Sequence, residues 1–176
     1  MTSIHGAVQR SFLFPADLPT AFDYYCDIDR ILHFLPHISI VNKYAGDGYR
    51  MLYHTTELGI YRVNIYCDLV AEIDRQKPSI NFHPLEHVIL PVRGEVGLYS
   101  LIGQGYYSSI STFSPEREQT RIEYQLSLSA ELPIPLGLRL VPNSIIDGIA
   151  NNLVQWRINE IAEGFITRSL RAFANS

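Results

Sequence analysis

SIIDGIANNLVQWRINEIAEGFITRSLRAFA, residues 144–174, decides how this chain folds. No proline interrupts it, whereas Pro133, Pro135 and Pro142 crowd its approach, and proline is tolerated before a helix but not inside one. As one helix rising about 1.5 Å per residue it runs roughly 45 Å, the breadth of a small domain. Nearly everything between residues 38 and 132 reads as strand. A helix of that length must bury a face, and the sheet is the partner on offer. A curved sheet gripping one terminal helix encloses a cavity, so the sequence predicts a container for a small apolar molecule.

Within the helix, Ile145, Ile146, Ile149, Leu153 and Trp156 form one stripe. Further along, that line is occupied by Glu160, Gly164, Thr167 and Arg171, while Ile158, Ile161 and Phe165 lie roughly 140° around. Drift of about 20° per heptad does not produce such a jump, so the two halves are expected to bury different faces. Gly148 would permit a bend or a close approach.

Just upstream, Leu132-Pro133-Ile134-Pro135-Leu136-Gly137-Leu138-Arg139-Leu140-Val141-Pro142 is too proline-rich for a central strand and too apolar for an ordinary solvated loop. It packs on the core, folds over a cavity mouth, or touches a membrane or partner. Residues 121–132 alternate, with Ile122, Tyr124, Leu126, Leu128 and Ala130 inward. Residues 61–74 repeat the code through Tyr61, Val63, Ile65, Cys67, Leu69, Ala71 and Ile73, the signature of a long antiparallel strand buried on one face. Between them lie strand signals at 79–83 and over 94–113, where Gly94, Gly97, Gly103 and Gly105 suggest bends or bulges. A first strand over 7–14 ends at Pro15, and Asp17 caps a short helix over 18–26. A second short helix over 28–35 stops at Pro36, and strands at 38–44 and 49–56 flank a Gly46-Asp47-Gly48 turn. The expected architecture is α+β: a curved antiparallel sheet of six to seven strands, two short helices after the first strand, and a long C-terminal helix across the sheet, all in one domain over 1–176.

Composition narrows the classes. A formal net charge of −4, with 14 Lys and Arg scattered along the chain, gives no basic face for nucleic acid. No run is long and apolar enough to span a bilayer, and the start of the chain does not read as a signal peptide, so a cytoplasmic protein is expected. Cys26 and Cys67 sit inside apolar patterns and read as reduced, packed thiols. The chain carries 11 Tyr, 8 Phe and one Trp. Many tyrosines on strands suit a half-polar interior such as a ligand cavity, and equally suit cross-strand pairing on a sheet surface.

Motifs with chemistry are mostly absent. His83-Pro84-Leu85-Glu86-His87 spells H-x-x-E-H, but Pro84 disrupts the helix that metal chemistry needs, and no third ligand follows. Asp29, His33 and His37 are spaced four apart, yet Pro36 breaks the helix between the last two. No phosphate-cradling glycine loop and no nucleophile elbow occurs. No catalytic residue, metal or cofactor is assigned. The candidate ligand contacts are Tyr53, Tyr99, Tyr124, Ile149, Leu153 and Trp156, with His54, Asn152 and Glu160 as further polar candidates.

Phe14-Pro15-Ala16-Asp17 entering the first helix, and Asp27-Ile28-Asp29-Arg30 through Phe34-Leu35-Pro36 in the second, resemble turns of the START, birch-pollen-allergen and polyketide-cyclase superfamily, the SRPBCC or helix-grip fold. The resemblance extends over essentially the whole chain. The segment from Leu132-Pro133 to Pro142, followed by Asn151-Asn152-Leu153, is similar to an uncharacterised branch found in cyanobacteria and plastids. The resemblance implies a cavity but no mechanism. The first expectation is noncatalytic binding or transport of a lipid, isoprenoid, quinone or pigment-like molecule. The alternatives are a cyclase or dehydratase using His54 or Tyr124 as acid or base, and a membrane-surface or assembly factor acting through residues 132–142.

Overall fold

The computed structural model describes residues 2–85 and 92–176. Glu86 and His87 of the H-x-x-E-H motif lie outside them; His83 stands in a strand, 3.7 Å from Glu72. In chain order the elements are β1 (Thr2–Phe14), α1 (Leu18–Tyr25), α2 (Ile28–Leu32), β2 (Ile38–Tyr44), β3 (Gly48–Glu57), β4 (Tyr61–Asp74), β5 (Ser79–Pro84), β6 (Glu95–Val96), β7 (Ser100–Glu116), β8 (Gln119–Leu132) and α3 (Asn143–Ala174), with one 3-10 turn at Leu136–Leu138. Asp17 and Asp27 cap the two short helices by accepting from the Thr20 and Arg30 amides, at 3.1 and 3.2 Å. Helix α2 is shorter than its apolar pattern predicted, closing at His33.

The fold is α+β with one eight-stranded sheet in the order β1-β8-β7-β5-β4-β3-β2, and β6 added on β7. Neighbours are antiparallel except at one seam. The second half of β7 pairs with β5 through Ser79↔Thr112 to Phe82↔Ser109, whereas its first half runs parallel to β4 from Arg62↔Ser100 to Tyr66↔Gln104. Where β5 runs out, β4 and β7 close on each other, and the sheet curls into a trough.

Helix α3 lies in that trough, against β1. Two glycines let it approach. A Cβ on Gly6 of β1 would stand 2.8 Å from Val154, and one on Gly164 of α3 would stand 2.3 Å from the Pro36 ring. The second half of the helix buries Ile158, Ile161, Ala162, Phe165, Ile166 and Ser169. They meet an aromatic cluster in which Phe14, Tyr24 and Phe173 lie 4.5–5.4 Å apart and Tyr124 stacks on Phe165 at 4.9 Å. Ser169 Oγ and the Tyr25 hydroxyl hydrogen-bond at 2.8 Å inside it. Gly148 has no neighbour within 4 Å of an added Cβ, so it serves no close approach.

The alternation of β4 holds for Val63, Ile65, Cys67, Leu69 and Ala71, all buried. On the other face Asp68, expected outward, is buried as well. Arg50 lies directly across the ladder and donates from Nε and one terminal nitrogen to both its oxygens, at 2.7 and 2.6 Å, and the Tyr44 hydroxyl adds a third bond.

Candidate functional site

The inward faces of β3, β4, β7 and β8 do not fill the trough beneath the first half of α3. Val63, Cys67, Ala130 and Ala150 are small for the space, and a cavity of about 280 Å³ remains. Met51, Ile65, Leu101, Leu128 and Leu132 form its floor and walls, and Ile146, Ile149, Ala150 and Leu153 its roof. Its mouth lies where the β3–β4 turn, the residues before β7 and the 132–142 loop meet. Leu58, Pro133, Ile134, Leu138 and Val141 border it there. The Leu136 amide donates to the Gly97 carbonyl at 3.3 Å, and the Tyr61 and Tyr99 rings lie 5.8 Å apart. Residues 132–142 are thus both lid and surface: Pro135 is buried, whereas Leu136 faces out and Leu140 is 99 % exposed.

One wall is polar. The Arg157 side chain reaches from α3 to β3 and donates from Nε to Glu57 Oε1 at 2.9 Å and from a terminal nitrogen to Oε2 at 3.1 Å. The Tyr53 hydroxyl donates to Glu57 Oε1 at 3.0 Å. Behind this pair, Arg157 also donates to Glu160 Oε2 at 2.6 Å, and His37 Nε2 lies 3.1 Å from Glu160 Oε1. Burial works against the Arg157 charge, but its bonds to Glu57 and Glu160 outweigh that and hold its pKa above the usual arginine value. Burial, and then the Glu57 charge, push the Tyr53 hydroxyl well up, so it remains a donor. Burial also pushes the Cys67 thiol up to about 12, which keeps it protonated and a poor nucleophile.

Of the residues singled out in the sequence, Tyr53, Ile149 and Leu153 border the cavity. Tyr99 packs on Tyr61 at its rim, half exposed. Tyr124 is sealed in the aromatic cluster, its hydroxyl pushed far up by burial and by the neighbouring Tyr107. Trp156 is 57 % exposed on the outer side of α3, with the Arg157 guanidinium 4.3 Å from its ring centre. His54 sits on the outer face of β3, bonded to Asn64 at 2.6 Å, and Asn152 is exposed. Glu160 takes its place behind Arg157. Sequence reasoning did not single out Glu57 or Arg157. The signal was present: Glu57 is in phase with Tyr49, Met51, Tyr53 and Thr55, so alternation alone puts its carboxylate inside.

No protein-family model matches the chain, and no curated protein matches it in sequence. Solved structures do. A protein of Thermus thermophilus shares 20% identity at a TM-score of 0.51, over 94% of this chain and 98% of its own. A conserved protein of Geobacillus kaustophilus reaches 0.55 at 11% identity, over 98% and 96%. The di-domain aromatase/cyclase StfQ of the steffimycin biosynthetic pathway reaches 0.54 at 13% identity, covering 97% of this chain and 51% of StfQ. Together with the sheet order and the terminal helix, these matches give the chain the helix-grip fold, a curved antiparallel sheet closed by one long C-terminal helix. Among the described residues no helix is long and apolar enough to cross a membrane.

Proposed function

We propose that this protein binds and carries a hydrophobic small molecule of the lipid, isoprenoid, quinone or pigment-like kind in the cavity beneath α3, without chemically altering it. The observation that carries the reading is the cavity itself: about 280 Å³, near the lower end for small-ligand sites, and walled by aliphatic side chains around one buried polar patch. Affinity would come from apolar area withdrawn from water, at about 25 cal/mol per Å². The two groups weighed for acid–base catalysis, His54 and Tyr124, lie outside the cavity lining, and the Tyr53, Glu57 and Arg157 side chains inside it are bonded to one another. That arrangement favours holding a ligand over transforming it.

The mouth supports a route for loading. Leu58, Ile60, Leu98, Leu136 and Leu140 are exposed on the three segments that meet there, a grouping suited to transient contact with a bilayer. Both free cysteines, Cys26 and Cys67, agree with a reducing compartment such as the cytoplasm. Native mass spectrometry of protein purified from its own host tests the reading, with Ala150→Trp as the filled-cavity control. A stoichiometric apolar adduct in the wild type and none in the variant is expected. A clean apo mass, together with no binding of the neutral probe N-phenyl-1-naphthylamine, would sink the proposal. The loading route predicts that Leu140→Asp lowers cosedimentation with liposomes; equal sedimentation of both proteins removes it.

A further inference from the structure

The polar wall has a definite hydrogen-bonding character. Among the described residues lining the cavity, Arg157 is the one cation and Glu57 the one anion. They neutralise each other through two bonds, so a ligand meets no unpaired positive charge. Glu160 on the far side of Arg157 adds a second carboxylate, leaving the group short of positive charge rather than in excess. An anionic ligand end would have to be buried beside Glu57 with no cation free to receive it, which is costly in an apolar enclosure.

What the pair retains is small and specific. A carboxylate offers about four lone-pair sites. On Glu57, Oε1 already accepts from Tyr53 and from Arg157 Nε, while Oε2 accepts from Arg157 once. One acceptor site on Oε2 is left. Arg157 has about five N–H donors, and its hydrogen bonds to Glu57 and Glu160 use three of them. A group that both donates one bond and accepts one is therefore the best complement. A hydroxyl does both; a ketone or quinone oxygen only accepts; an ionised carboxylate only accepts and adds charge.

We infer that the cavity selects apolar alcohols or phenols, whose hydroxyl donates to Glu57 Oε2 and accepts from Arg157, over carboxylates of the same chain. The inference rests on the container reading proposed above and narrows it to a ligand class. Glu57 and Arg157 are then specificity-determining residues, and the aliphatic lining contributes affinity without regard to the ligand's end group.

The test is displacement of N-phenyl-1-naphthylamine by 1-dodecanol and by dodecanoate at neutral pH. In the wild type the alcohol displaces the probe at a concentration at least about tenfold lower than the acid does. Glu57→Gln removes the carboxylate beside the ligand's end group and leaves Arg157 paired with Glu160 alone, and the preference for dodecanol shrinks. The double variant Glu57→Gln, Arg157→Met guards against misfolding of the single one: it retains the probe but needs at least about tenfold more dodecanol to displace it than the wild type does, because the hydroxyl has lost both partners. Dodecanoate displacing the probe from the wild type as well as or better than dodecanol overturns the inference while leaving the container reading intact. Dodecanol displacing the probe from the folded double variant as readily as from the wild type also overturns it. Failure of the wild type to bind any of the three molecules overturns both readings.

Discussion

The two halves of α3 belong to one unbroken helix, yet they meet the sheet in opposite ways. The C-terminal half presses Ile158, Ala162, Phe165 and Ser169 into a solid aromatic core. The N-terminal half holds Ile146, Ala150, Leu153 and Arg157 over the cavity. On a helical wheel those two faces lie roughly 120° apart, so the helix turns one side to the core and a different side to the cavity. The chain invests bulk at one end, where Phe14, Phe113, Phe165 and Phe173 gather, and withholds it at the other, where Val63, Cys67, Ala130 and Ala150 face inward. The close-packed core therefore lies under one half of the helix, and the cavity under the other.

Truncations in the two halves break or sharpen that division, and the largest effect belongs to the solid end. Phe165→Ala removes a ring stacked on Tyr124 in a close-packed setting, and a loss of about 3–5 kcal/mol in chemical denaturation is expected. Leu153→Ala trims a half-buried side chain that already borders space. Its cost should be about 1 kcal/mol or less, because little packing is lost. Binding of an apolar probe should respond in the reverse order among variants that remain folded. Equal destabilisation by both truncations would mean the N-terminal half is core like the rest.

Period-two patterning made most of the sheet legible, because β4 and β8 each bury one face along most of their length. The long helix was legible too, since only a sheet could cover it. The parallel seam between β4 and β7 was not, because it depends on where β5 stops, and no local residue preference encodes that. The cavity's aliphatic residues Ile149 and Leu153 were readable as a stripe, but the same line drew in Trp156, which stands outside with Arg157 over its ring. Arg157 and Glu57 escaped notice for a physical reason. Hydrophobic periodicity is read from apolar positions, so Glu57 was passed over although it keeps the inward phase of β3, and Arg157, a hundred positions away, looks like surface until that carboxylate is found.

Glycine substitutions sharpen the comparison with a single chemical change made twice in one helix. Ala is better than Gly in a helix interior by about 1 kcal/mol. At Gly148, over the hollow end, nothing lies within 4 Å of the added Cβ, so Gly148→Ala should gain about that amount. At Gly164 the added Cβ would stand 2.3 Å from Pro36 Cγ. Overpacking of that kind costs about 1–3 kcal/mol, so Gly164→Ala should come out destabilised despite its better propensity. Thermal melts of the two variants read the opposite signs directly; shifts of the same sign would show that propensity alone governs both sites.

The smallest effect lies at the boundary between the halves, where Glu160 ties Arg157 to His37. Burial pushes the Glu160 carboxyl up, but the bonds from Arg157 and His37 outweigh it and hold the group below its ordinary value of 4.5. A carboxyl with a depressed folded pKa stabilises the fold above its unfolded pKa, and loses that contribution as pH falls through the lower folded value. Wild type should therefore exceed Glu160→Gln in stability near neutrality, and the gap should close as acidification carries the pH through the lowered folded pKa. Partial exposure of Glu160 lets solvent screen the interaction, so the gap is modest even at its widest. Hydrogen exchange locates the effect: in Glu160→Gln at neutral pH, amides of the N-terminal half of α3 should lose protection while those around Phe165 keep theirs. Uniform loss along the whole helix would show that the two halves open as one unit and that the division drawn between them is static only.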